Sequence, residues 1–284
     1  MYQIIADEFY ARRQKRGVPE LLAELSRLGV PSKGPAPSAA TVSKIEDTDI
    51  RIEEIRFESE PGVTVSARLR LPMGAGRKPA VVVFEEKRLP VPLYVQPTQS
   101  TTAIAEALAR SGQIVMEVDP RDSTAANEGR AFLGNWVTNE RADLIGRNLA
   151  AMRAHDLLVA VDVLAARPDV DASSIRGYAR GVKGVWLLLA AAVDRRLGKI
   201  WLDRTPSSIA AALEGPLTSH LFDALIPRFA LHWDFQDLVE AIGDRRVLWT
   251  DPANWMNRVT PLGAPFRYRY VGEGDAPSIE EFLR

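Results

Sequence analysis

Few side chains in this chain of 284 residues have the type and spacing that chemistry needs. It holds three histidines, His155, His220 and His232, and no cysteine. Thiolate catalysis and Cys-ligated metal are therefore excluded, and with no HExxH run or close histidine pair no metal site is expected. His155 precedes Asp156 in a helical stretch. Neighbours on a helix point about 100° apart, so the two form no dyad, and His155 reads as a surface or interface residue. His220 and His232 sit among Phe222, Phe229, Trp233 and Phe235, which read as a core cluster or an aromatic lid.

Charged residues gather instead behind short apolar runs. Glu85, Glu86, Lys87 and Arg88 follow AVVVF; Asp119, Arg121 and Asp122 follow QIVMEV. Arg180, Gly181, Val182 and Lys183 follow IRGYA, and Asp251 follows VLW. Glu85 and Glu86 suit a cationic or hydroxyl-rich ligand or carboxylate acid/base work; the alternative is a solvated loop paired with Lys87, Arg88 or Arg121. Arg180 and Lys183 border a helix start, where free N–H groups attract a carboxylate or phosphate, and Arg180 equally suits pairing with a nearby carboxylate. The run ARGVKG lacks Walker spacing and a complete GxGxxG, so no nucleotide cofactor is expected. An oxygen-only metal site from Asp119, Asp122, Glu85 and Asp251 has no spacing motif behind it.

The elements that position these residues follow from periodicity. Residues 3–29 are helical with a break at Gly17-Val18-Pro19, and the Pro-rich stretch 31–41 reads as a linker. Residues 1–44 are thus expected to form a helical arm and linker, and 45–284 the main domain. Residues 50–71 alternate as a hairpin or meander. Beyond them, apolar runs at 80–84, 113–118, 175–179, 199–202, 247–249 and 266–271 alternate with helical stretches near 101–111, 141–166, 182–193, 207–213 and 234–242. The expected class is α/β, a mostly parallel, doubly wound sheet behind two antiparallel strands. Lys and Arg number 36 against 37 Asp and Glu, a net charge of −1 that argues against a nucleic-acid partner. No apolar run reaches the roughly 18–20 residues of a membrane span. The opening residues lack a signal-peptide core, so the chain reads as cytoplasmic, or as a mature form with its targeting segment removed.

Three segments carry a family resemblance: FESEPGVTVSARLRLP with RKPAVVVF, SGQIVMEVDPRDS, and LAARPDVDASSIRGYARGVKGVWLLLAAAVDRRLGKIWLD. Over about residues 45–284 they resemble the α/β-hydrolase superfamily, in its acetyl xylan esterase and dienelactone-hydrolase-like branch. The resemblance implies a nucleophile on a sharp strand-to-helix bend, then an acid, then a histidine after the last strand. One frame puts Ala179 at the bend and the preferred one puts Gly181 there; neither side chain can attack a carbonyl. Asp251 stands where the acid is implied, Asp275 falls near the position implied for histidine, and Glu85 and Glu86 occupy the implied oxyanion loop.

The expectation is a bacterial-type pseudoenzyme, a non-catalytic binding or assembly protein without a cofactor. Glu85, Glu86, Arg121, Arg180, Gly181, Val182 and Asp251 would contact a small carbohydrate or organic acid, and the arm would support a homo-oligomer. The alternatives are a carboxylic-ester hydrolase of the acetyl xylan esterase type, with an engineered nucleophile or one that stands outside both frames, and a carboxylate-based enzyme using Glu85, Glu86 and Asp251.

Overall fold

The computed structural model describes residues 2–30, 37–46, 49–84, 101–122, 134–213, 217–243, 246–259 and 279–284. Two helices, α1 (Tyr2–Arg12) and α2 (Val18–Arg27), precede the strands β1 (Ala40–Glu46), β2 (Ile50–Glu60) and β3 (Val63–Pro72). Then come β4 (Lys78–Phe84), α3 (Thr101–Arg110), β5 (Ile114–Asp119), α4 (Trp136–Leu144), α5 (Leu149–Ala165) and β6 (Val170–Arg180). The described chain continues through α6 (Lys183–Val193), β7 (Leu197–Asp203), α7 (Phe235–Ile242), β8 (Arg246–Thr250) and α8 (Ile279–Leu283).

The strands form one eight-stranded sheet in the order β1-β2-β3-β5-β4-β6-β7-β8. Pairing is antiparallel from β1 through β3 to β5 and parallel from β5 across to β8. This is the α/β-hydrolase fold. The alternation of β4 states the physical reason. Ala80, Val82 and Phe84 pack into the core shared by α2, α5, α6 and α7, while Val81 and Val83 pack against α3 and α8. A strand apolar on both faces needs helices on both faces, so the run AVVVF is central and parallel.

Several expected boundaries move. The linker's last residues, Ala40 and Thr41, already belong to β1, so three antiparallel strands precede the parallel ones and the expected division at residue 44 falls within a strand. α2 does not stand apart as an arm: Leu21 and Leu25 are fully buried in the main core. Burying such leucines stabilises by roughly 1.5–3 kcal/mol each. The helix expected over 141–166 is two helices. Gly146 turns at φ 73°, and the Asn148 side chain accepts from the Ala151 N–H to start α5 anew. Leu144 and Ile145, counted into that apolar stripe, are 86% and 73% exposed. The stretch 207–213 yields only a short 3-10 turn, Ala210–Leu213. The apolar run 266–271 lies outside the described residues.

The connection from β4 leads toward β3 and that from β6 leads toward β8, so the sheet reverses its winding between β4 and β6. Ligands of open α/β sheets bind beyond the carboxyl ends of the strands at such a reversal. Here those ends are Phe84 and Arg180.

Candidate functional site

β6 leaves the sheet at Arg180, and α6 begins three residues later. The bend between them is made by Gly181, at φ +62°, with Val182 as the helix N-cap. That left-handed backbone strains any residue with a side chain. A Cβ placed on Gly181 would meet nothing within 4 Å among the described residues, so the bend faces open space. Ala179, by contrast, is buried in the core within β6. The bend thus falls at Gly181, and Ala179 lies within β6. Residues 179–183 contain no hydroxyl, thiol or carboxylate.

Asp203 and Arg180 lie at the bend, and Asp251 and Arg204 lie near Asp203. Asp203, the last residue of β7, accepts the Gly181 N–H on its carbonyl (2.8 Å) and the Tyr178 hydroxyl on Oδ2 (3.0 Å). The same Oδ2 is 3.0 Å from Arg180 Nη1. Arg180 therefore pairs with a carboxylate, as one of its two expected readings held. Burial pushes the Asp203 carboxyl up, and nearby Asp251 adds to this, outweighing Arg180, Tyr178 and Arg204. Asp251 follows β8 at φ +44°, and Arg204 follows β7 at φ +49°. Non-glycine residues at positive φ are uncommon, and two side by side at strand ends mark a constrained surface. Asp203 was missed from sequence. Its signal was a carboxylate closing the run KIWLD, directly after an apolar strand.

Arg121, expected to contact ligand, is consumed inside the protein. Its guanidinium donates to both oxygens of buried Asp156, to Glu60 (3.0 Å) and to the Ser59 hydroxyl (3.1 Å). Arg147 grips the other side of Glu60 (2.5 and 2.8 Å). Arg147 first, opposed by burial and assisted by Arg121, holds the Glu60 carboxyl down to about 2. His155 is buried, not superficial as expected: its Nε2 lies 3.1 Å from the Ser59 carbonyl.

Glu85 and Glu86 lie outside the described residues, as does Asp275. Among the described residues no group of three His, Asp or Glu converges as metal ligands, and no helix is long and apolar enough to cross a membrane. A cavity of about 200 Å³ opens at the opposite end of the sheet, lined by Arg51, Met73, Lys78 and Asp169. Lys78 and Asp169 already bond to the Gly74 carbonyl and Arg167, so the strand ends are the better candidate.

No family model matches the sequence, and no curated protein matches it. Solved structures do resemble it. A Bacteroides fragilis protein assigned as an acetyl xylan esterase superposes with a TM-score of 0.67 at 15% identity, over 88% of this chain and 74% of that one. Acetyl xylan esterase 1 from a Thermoanaerobacterium species gives 0.56 at 15% identity, covering 98% of this chain and 92% of its own. A glucuronoyl esterase from Solibacter usitatus gives 0.57 at 15% identity, over 82% and 73%. At such identities the likeness establishes the fold, and function has to be argued from the site.

Proposed function

We propose that this chain is a non-catalytic binding protein on an esterase-type scaffold, holding a small carbohydrate or organic acid beyond Gly181. One observation carries the reading. The bend that would offer a nucleophile to solvent is a glycine facing open space, so no covalent acyl intermediate has an atom to form on. Beside the bend Asp203 pairs with Arg180, and Arg204 and Asp251 lie near Asp203. A mixed set of fixed charges recognises hydroxyls and carboxylates, the groups a carbohydrate ester or uronic acid displays. The names of the structural neighbours, acetyl xylan and glucuronoyl esterases, point to the same ligand class.

The test is turnover of p-nitrophenyl acetate with a serine-directed fluorophosphonate. The expected result is no covalent label and no phosphonate-sensitive turnover, together with a thermal shift on adding xylobiose or glucuronate. Phosphonate-sensitive turnover overturns the reading in favour of an ester hydrolase. A carboxylate-based enzyme is the second reading, supported by the Asp203 carboxyl being pushed up by burial, with Asp251 nearby. It requires phosphonate-resistant turnover that Asp251→Asn abolishes. Assembly through α1 is a further part of the proposal: Ile4 is 70% exposed and Ile5 46%. Light scattering of the chain with and without Ile4→Glu tests it, and an unchanged mass removes it.

A further inference from the structure

The segment between β7 and β8 brings a histidine and a carboxylate together. His220 Nδ1 lies 3.1 Å from Asp223 Oδ2. Asp223 is buried, and its other oxygen takes the Arg153 Nη1–H at 2.6 Å. Arg153 is itself fully buried. It lies 4.4 Å from the Trp186 ring centroid and donates to the backbone carbonyls of Arg121 and Asp122. Trp186, in the first turn of α6, returns a hydrogen bond to the Asp223 carbonyl (2.7 Å). Arg121 and Asp122 follow the end of β5, so the pair lies toward the carboxyl ends of the strands. Glycine at 134 closes the other side, since a Cβ there would come within 2.2 Å of Asp223 Oδ2.

These contacts hold Asp223 in one place and one charge state. Burial alone would raise its carboxyl, but His220 and Arg153 outweigh burial and leave it below the usual range. A carboxylate only accepts, so the imidazole must donate from Nδ1, which in the neutral ring leaves the Nε2 lone pair bare. Among the described residues Nε2 has no partner, and the side chain is 31% exposed. His220 also sits at φ +57°, a backbone region uncommon outside glycine. A buried Arg–Asp pair and a left-handed histidine are costly features, and their common product is one oriented, outward-facing acceptor.

We propose that His220, positioned by Asp223, is a ligand contact of the strand-end site and accepts a hydrogen bond through Nε2 from a hydroxyl of a carbohydrate ligand. This rests on the binding reading above and names the residue that recognises the hydroxyl. In substrate-free terms Asp223 is a positioning residue and His220 the contact.

The experiment uses the full chain with xylobiose as probe, read by calorimetry and by long-range ¹⁵N NMR of the imidazoles. Saturating xylobiose is expected to shift the His220 Nε2 resonance and leave that of His232 in place. His220→Phe, which removes the acceptor, is expected to weaken binding about tenfold, the size of one lost hydrogen bond. His220→Gln, whose amide oxygen reaches similarly far, should stay within about threefold, and His232→Gln should match the unaltered chain. Asp223→Asn should change the His220 tautomer seen by NMR; if that variant does not fold, the His220 pair of substitutions still decides. Unaltered affinity in His220→Phe, or no xylobiose-induced shift at His220, overturns the proposal. Neither outcome touches the non-catalytic reading, which falls to turnover, whether phosphonate-sensitive or phosphonate-resistant and abolished by Asp251→Asn.

Discussion

Two arginine networks meet α5, one through Asp156 and the other through Arg153, and they end differently. Around Arg121 every donor is answered within the protein by Asp156, Glu60 and Ser59, with Arg147 closing the ring. Around Arg153 the contacts run through Asp223 to His220 and stop at an exposed ring nitrogen. The first network links β2, the β5 end and α5, as a structural clamp does. The second ends at a part-exposed histidine, the one proposed above as a ligand contact. The comparison teaches that a buried arginine is informative less by its presence than by where its chain of partners ends.

The clamp is where substitution should cost most. Arg121→Met leaves Asp156 charged, buried and unpaired, so a loss of about 3–5 kcal/mol is expected in urea unfolding. Arg121→Met combined with Asp156→Leu should recover most of it, because a well-packed apolar pair avoids burying either charge. A full loss in the double variant would mean that the two networks depend on each other.

The clamp also predicts an acid limit. Glu60 has its folded pKa depressed to about 2 from 4.5, so its contribution is fully present above pH 4.5 and is lost as pH falls toward 2. Urea midpoints measured from pH 6 to pH 2.5 should fall in this window, and Glu60→Gln should flatten the dependence. An equally steep fall in Glu60→Gln would place the acid sensitivity elsewhere.

At the bend, Gly181→Ala should cost about 1–2 kcal/mol from backbone strain alone, since the added methyl meets no neighbour among the described residues. For a chain of this size that is a fall in Tm of a few degrees. The smallest effect belongs to the open end of the second network. His220→Phe should shift stability by less than about 1 kcal/mol, as expected for a part-exposed residue, while its effect on xylobiose affinity is large. A stability loss as great as that of Arg121→Met would make His220 part of a clamp too.

Much of the fold was legible because burial writes itself into local periodicity. AVVVF reads as a central parallel strand, and VWLLLAAAV as a helix packed on it, from their own residues. The break at 145–148 was not legible, because Leu144 and Ile145 continue the apolar stripe that Gly146 and Asn148 interrupt. The site was legible only in part. Gly181 was identified at the bend, but Arg121 looked available to ligand because its partner Asp156 is 35 positions away.

From the sequence alone came the layered α/β order and the chemical fact that residues 179–183 hold no hydroxyl, thiol or carboxylate, since both depend on residue identity and near-neighbour spacing. The tertiary structure decided which charges are spent and which face outward. Ion pairs such as Arg153 with Asp223, 70 positions apart, are chosen by packing geometry, which no local pattern encodes. A carboxylate and an imidazole three residues apart could point anywhere until that arginine, buried on a neighbouring helix, fixes one of them.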